Sequence, residues 1–151
     1  VRDYIRNHYA PASRQSKSFV ADNCREAREL AVWKERINAH WHEVSLRRID
    51  DSSAAILAGE NITIRVAASL GGLAQDDVVM ECIVGTESAH SEFTAREFIR
   101  FAAVGTNKDG ESIFELDLEP PLSGLQYYKL RMYPSHSSLS HPFETGHIIW
   151  L

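Results

Sequence analysis

Seven histidines are the first place to look for a metal or an acid–base pair. His40 and His42 lie two apart, on different sides of a helix, so they cannot share a metal while that helix continues. His136, His141 and His147 fall in and beside the loop before the last strand, with no acidic residue spaced as in a zinc signature. They read as solvated or core-satisfied side chains, and no metal ligand is assigned. Ser135, Ser137, Ser138 and Ser140 form a polar run without the Gly-x-Ser-x-Gly elbow that exposes a nucleophile. Gly71-Gly72 lacks the spacing of a phosphate-cradling loop. Asp50-Asp51 and Asp76-Asp77 sit in turn-forming stretches, where carboxylates favour turn geometry and solubility. Catalytic carboxylates need opposed positions across a cleft instead. No catalytic residue and no cofactor-binding residue is assigned.

The aromatics leave one option open. Trp33, Trp41, Tyr127, Tyr133, Phe143 and Trp150 could stack on sugar rings, as flat aromatic faces do in β-sandwich carbohydrate-binding modules, or they could fill a core. Trp33 and Trp41 are eight apart, nearly on one helical face, which suits packing. Tyr127, Tyr133 and Trp150 remain the candidate sugar contacts.

These side chains must be carried by elements that the pattern predicts. A helix over Val1–Tyr9 is followed by a loop through Pro11 to about Ser18. A second helix spans about Ala21 to His40, with Val20, Cys24, Ala27, Leu30, Ala31, Ile37 and Trp41 as its apolar stripe. From Val44 the period changes to two. Strands are expected at Val44–Ile49, Asn61–Leu70, Val78–Val84, Phe98–Val104, Ser112–Leu118, Gln126–Pro134 and His147–Leu151, punctuated by Gly and Pro turns. A tyrosine at Tyr127-Tyr128 is placed to bond back to the corner at Ser123-Gly124. The expected fold is mainly β: an antiparallel immunoglobulin-like β-sandwich of about seven strands, preceded by two helices. Residues 1–43 form a helical leader and residues 44–151 the sandwich.

Length and composition agree with one ordinary domain: 151 residues, 44% hydrophobic and 25% charged. A net charge of -5 without a basic stripe argues against a nucleic-acid partner, since phosphate binding needs a concentrated basic surface. Cys24 and Cys82 are too few and too far apart for a disulfide scaffold, so buried free thiols are expected. No apolar run approaches the roughly 20 residues of a membrane helix, and the charged first residues do not form a secretory signal. Asn61-Ile62-Thr63 is therefore a formal glycosylation acceptor only. A cytoplasmic location without membrane contact is expected. The uncapped helix at Val1 suggests a piece of a longer polypeptide.

At the level of motifs, Glu26-Ala27-Arg28-Glu29-Leu30-Ala31-Val32-Trp33-Lys34-Glu35-Arg36-Ile37, with Trp41 following, resembles a segment near the C-terminus of bacterial α-glucan phosphorylases. Tyr9-Ala10-Pro11-Ala12 looks like the segment just before it. Leu70-Gly71-Gly72-Leu73-Ala74-Gln75-Asp76-Asp77-Val78 is similar to a family motif that carries proline where Gln75 stands. Tyr133-Pro134-Ser135-His136, His141-Pro142-Phe143-Glu144-Thr145-Gly146 and Trp150 resemble the family's last strands. The resemblance covers essentially the whole chain. It implies an enzyme that moves a glucosyl unit between an α-1,4-glucan and phosphate, giving glucose 1-phosphate, with pyridoxal phosphate on a lysine. That lysine lies upstream in such proteins, and Lys17, Lys34, Lys108 and Lys129 match none of its motifs. The resemblance thus implies a C-terminal piece that is not catalytic by itself, with the upstream catalytic region as partner and no pyridoxal phosphate in this chain. Tyr127, Tyr133 and Trp150, chosen on the aromatics and the sandwich, are the candidate glucan contacts. A glucan-binding module and an oligomerisation or interaction domain are the alternatives.

Overall fold

Period-two alternation puts Ile64, Val66 and Ala68 on one side of a strand, and all three are fully buried in the computed structural model. It describes residues 24–50, 61–87, 92–119 and 127–151. One α-helix is present among them, α1 (Arg25–His40), followed by a 3-10 turn at Trp41–Glu43. Eight strands follow: β1 (Ser45–Arg48), β2 (Ile62–Ser69), β3 (Val78–Glu87), β4 (Phe93–Arg100), β5 (Ala102–Thr106), β6 (Ser112–Leu118), β7 (Tyr127–Pro134) and β8 (Ile149–Trp150). A second 3-10 turn, Gln75–Asp77, leads into β3. The predicted helix at Val1–Tyr9, the loop to Ser18 and the corner at Ser123-Gly124 lie outside the described residues.

The strands form two four-stranded antiparallel sheets, ordered β1-β2-β6-β5 and β4-β3-β7-β8. Val66 faces Phe114 in the first, and Met80 faces Met132 in the second. The inward sides meet in one core of Ile64, Val66, Phe114, Leu116, Met80, Cys82, Leu130 and Met132. Leu30, Trp33 and Ile37 of α1 enter the same core, spaced by three and four so that they share one face.

Three expectations are corrected here. Among the described residues there are eight strands rather than about seven, because the predicted strand Phe98–Val104 is two. β4 ends at Arg100 in the second sheet and β5 starts at Ala102 in the first. Phe101 makes the crossing, its N–H donating to Met80 O at 2.9 Å. The apolar run hides this change of sheet because pairing partners are set at long range. The buried stripe of α1 uses Trp33, whereas Ala31 is exposed. Cys24, expected as a buried thiol, is exposed: it is the N-cap of α1, at φ 61, outside the stripe. Cys82 is buried as expected, and burial pushes its thiol up to about 12, so it is an inert core residue.

Two glycines are needed for space. Gly71, at φ +58, closes the turn after β2 against the end of α1, where an added Cβ would stand 2.5 Å from Glu43 Cβ. Gly85 sits at the register shift between β3 and β4, where a Cβ would fall 2.3 Å from Thr94 O.

Candidate functional site

Two polar constellations stand out because they are buried. The first joins α1 to the sandwich. Asp77 Oδ1 accepts from Trp33 Nε1 at 2.7 Å and from Arg36 at 2.7 Å, and its Oδ2 accepts from Ala74 N–H at 2.8 Å. Only 7% of Asp77 is exposed. The expectation of a solubilising turn residue is thereby corrected: α1 covers this turn, so the carboxylate turns inward and pins the helix. Beside the joint, an open groove of about 380 Å³ runs along α1 between Arg28, Glu29, Val32, Trp33 and Arg36.

The segment leading to β8 also fastens α1. Ser138 Oγ donates to Glu26 at 2.8 Å, Lys34 pairs with Glu144, and His147 Nε2 lies 2.7 Å from Asn38 Oδ1. The ring of His136 packs on Trp33 at 5.0 Å, and His147 stacks on Trp41 at 5.6 Å. These two histidines are therefore packing pieces. His141 accepts from Phe143 N–H and meets that ring edge-on at 5.5 Å. His40 Nδ1 makes no hydrogen bond and lies 3.9 Å from Glu43. Among the described residues no three His, Cys, Asp or Glu side chains are grouped to hold a metal, and no helix is long and apolar enough to cross a membrane.

Lys34, and after it Ser140, holds the Glu144 carboxyl at about 2. A lowered acid pKa means stability that is complete above about 4.5 and lost as pH falls toward about 2. Urea unfolding at about pH 5 and about pH 3 should therefore show a smaller acid loss for Glu144→Gln than for the parent, by about 1 kcal/mol after solvent screening. Equal losses would show that this pair carries no linkage.

The second constellation lies on the outer face of the second sheet. Alternation along β7 sends Tyr127, Lys129, Arg131 and Tyr133 to this face, and Trp150 of β8 stands opposite Arg131. All three candidate contacts, Tyr127, Tyr133 and Trp150, thus share one face. They differ in access: Tyr127 is 38% exposed and Trp150 50%, whereas Tyr133 is 3% exposed and closed in. Tyr133 donates its hydroxyl to Glu81 at 3.2 Å and meets Phe143 edge-on at 5.1 Å. Burial, and then the Glu81 carboxylate, raises its pKa. Arg131 donates to Glu81 through Nε at 2.7 Å and lies among the rings of Phe98, Tyr133, Phe143 and Trp150, 4.8 to 5.6 Å from their centroids. Neither Arg131 nor Glu81 is among the residues that the sequence pattern singles out. The available signal was Glu81 itself, one charge inside the apolar run Val78 to Val84.

Residues 41–151 match the family model of the glycogen phosphorylase C-terminal domain. The chain belongs to this family. It is 28% identical over 148 residues to glycogen phosphorylases of Mycobacterium tuberculosis and Mycobacterium bovis, covering 97% of this chain and 17% of each relative. It is 25% identical over 158 residues to a maltodextrin phosphorylase of Thermococcus litoralis, covering 99% of this chain and 18% of that protein. The chain thus spans about a sixth of the curated relatives it matches. Pyridoxal phosphate, implied for a whole phosphorylase, does not fit the described lysines of this family member. A Schiff-base lysine needs an unpaired, desolvated amine. Lys34 is committed to Glu144, Lys129 lies 4.6 Å over the Phe93 ring in an exposed position, and Lys108 is exposed in a turn. Lys17 lies outside the described residues.

Proposed function

We propose that the chain is a non-catalytic accessory module at the C-terminal end of a cytoplasmic α-glucan phosphorylase, a glycosyltransferase whose chemistry is done upstream. Residues 1–43 end the catalytic region in this reading, and residues 44–151 form an immunoglobulin-like sandwich that buttresses it. The observation that carries it is the match of 97% of this chain to 17% of each glycogen phosphorylase, within a C-terminal family. The strand order supports the immunoglobulin-like type. Lettered A, B, C, C′, D, E, F, G in chain order, the sheets run A-B-E-D and C′-C-F-G. The Asp77 joint supports a helix held firmly enough to transmit the position of the sandwich to whatever precedes it.

The purified chain with maltodextrin and phosphate is expected to release no glucose 1-phosphate. The same chain carried behind a phosphorylase catalytic region is expected to release it. Turnover by the isolated chain would overturn the reading. Glucan contact is the weaker alternative: Tyr133 has no open face, so a sugar would rest on Tyr127 and Trp150.

A further inference from the structure

We propose that the outer face of the second sheet, centred on Arg131 and topped by Phe98, Phe143 and Trp150, docks against the catalytic region of the phosphorylase polypeptide. The proposal rests on the accessory-module reading above. The outer face of a sandwich ordinarily alternates to polar, solvated side chains. Here Glu81, Ile83 and Tyr133 are buried at 6%, 5% and 3% exposure, although among the described residues no further sheet covers them. A thin aromatic layer covers them instead, and its top remains open: Phe98 is 56% exposed, Phe143 38% and Trp150 50%. Aromatic rings around a desolvated arginine have the composition of an interface centre.

Polar groups within the layer already have partners. Glu81 takes both Arg131 and Tyr133, and the guanidinium is enclosed by rings. A sugar site adds hydrogen bonds for the hydroxyls to its stacking surface, and this layer offers mostly apolar rings, which suits a protein. Two copies meeting face to face would bring together the exposed cations that share this face, Arg100 opposite Glu81 and Lys129 beside Arg131, and like charges oppose such contact. The catalytic region answers both points. The relatives hold most of their length outside the part matched here. The patch also continues toward α1, since Phe143 adjoins Glu144, which holds Lys34.

Hydroxyl-radical footprinting of Phe98, Phe143 and Trp150 tests this, on the chain alone and on a polypeptide carrying it behind its catalytic region. Modification of the three rings should fall about fivefold or more in the longer polypeptide. Phe98→Ser, at an exposed ring, should leave the isolated chain folded by circular dichroism and return Phe143 and Trp150 in the longer polypeptide toward the reactivity of the isolated chain. Equal reactivity in an active longer polypeptide would overturn the docking proposal and leave the accessory reading standing. Absence of phosphorylase activity in a polypeptide whose rings are protected would do the reverse. Protection of the isolated chain by maltoheptaose, or by raising its own concentration, would overturn the proposal in favour of a sugar or a second copy.

Discussion

Replacing Asp77 with alanine should lower the unfolding free energy by about 3 kcal/mol, because a buried indole N–H loses its acceptor and a helix loses its pin. Three donors converge on this carboxylate from two elements far apart in sequence: Trp33 and Arg36 on α1, and Ala74 N–H in its own turn. They do not suffer equally. The Arg36 side chain is 49% exposed and can return to water, whereas Trp33 is 5% exposed and cannot. The orphaned Trp33 Nε1 therefore carries most of the cost, about 1–3 kcal/mol, and the Ala74 N–H adds to it. Asp77→Asn keeps an acceptor oxygen but turns an amide N–H toward a donor, and should cost about half as much. Trp33→Phe removes the donor without leaving one unpaired, so it should cost about 1 kcal/mol through this bond. The double variant should then fall short of additivity by about 1 kcal/mol. Urea unfolding followed by circular dichroism reads all four, with an unchanged denaturant slope showing that the same surface is exposed. A loss below about 1 kcal/mol for Asp77→Ala would mean that apolar packing alone seats the helix.

The parts of this fold that are legible in the sequence are those fixed by local period. β2, β6 and β7 alternate cleanly, and the faces expected for Ile64, Val66, Leu130 and Met132 are the buried ones. What escapes is set by partners distant in the chain. The change of sheet at Phe101 leaves no Gly or Pro behind, so β4 and β5 read as one strand. Asp77 reads as a turn residue because its burial depends on a helix 41 and 44 positions away. The candidate face was partly legible: period two alone puts Tyr127 and Tyr133 on one side, and pairing of β8 with β7 adds Trp150. That Tyr133 is closed off follows from Glu81, Arg131 and Phe143, which reach it from another strand, its own strand and a loop.

The Glu81–Arg131 pair gives the second large expectation, and its two halves should be unequal. Arg131→Met keeps a long side chain of similar shape among the rings but leaves the Glu81 carboxylate, 8% exposed, with the Tyr133 hydroxyl at 3.2 Å. An uncompensated charge so placed should cost about 3–5 kcal/mol. Glu81→Gln leaves Arg131 with four aromatic rings around its guanidinium. Those rings go on attracting the cation, so this change should cost about 2 kcal/mol. With both substitutions the buried charges are gone together, and much of the Arg131→Met deficit should return. The exposed pair Arg47–Glu111 is the control, since the Arg47 side chain is 55% exposed. Salt should weaken that pair and leave the Glu81–Arg131 coupling nearly unchanged. Urea unfolding of the four proteins at low and at about 1 M salt measures the cycle. Equal single costs would show that the rings do nothing for an unpaired Arg131. The larger loss from Arg131→Met would instead show that the four rings compensate a lone guanidinium while the Tyr133 hydroxyl alone does not compensate the lone Glu81 carboxylate.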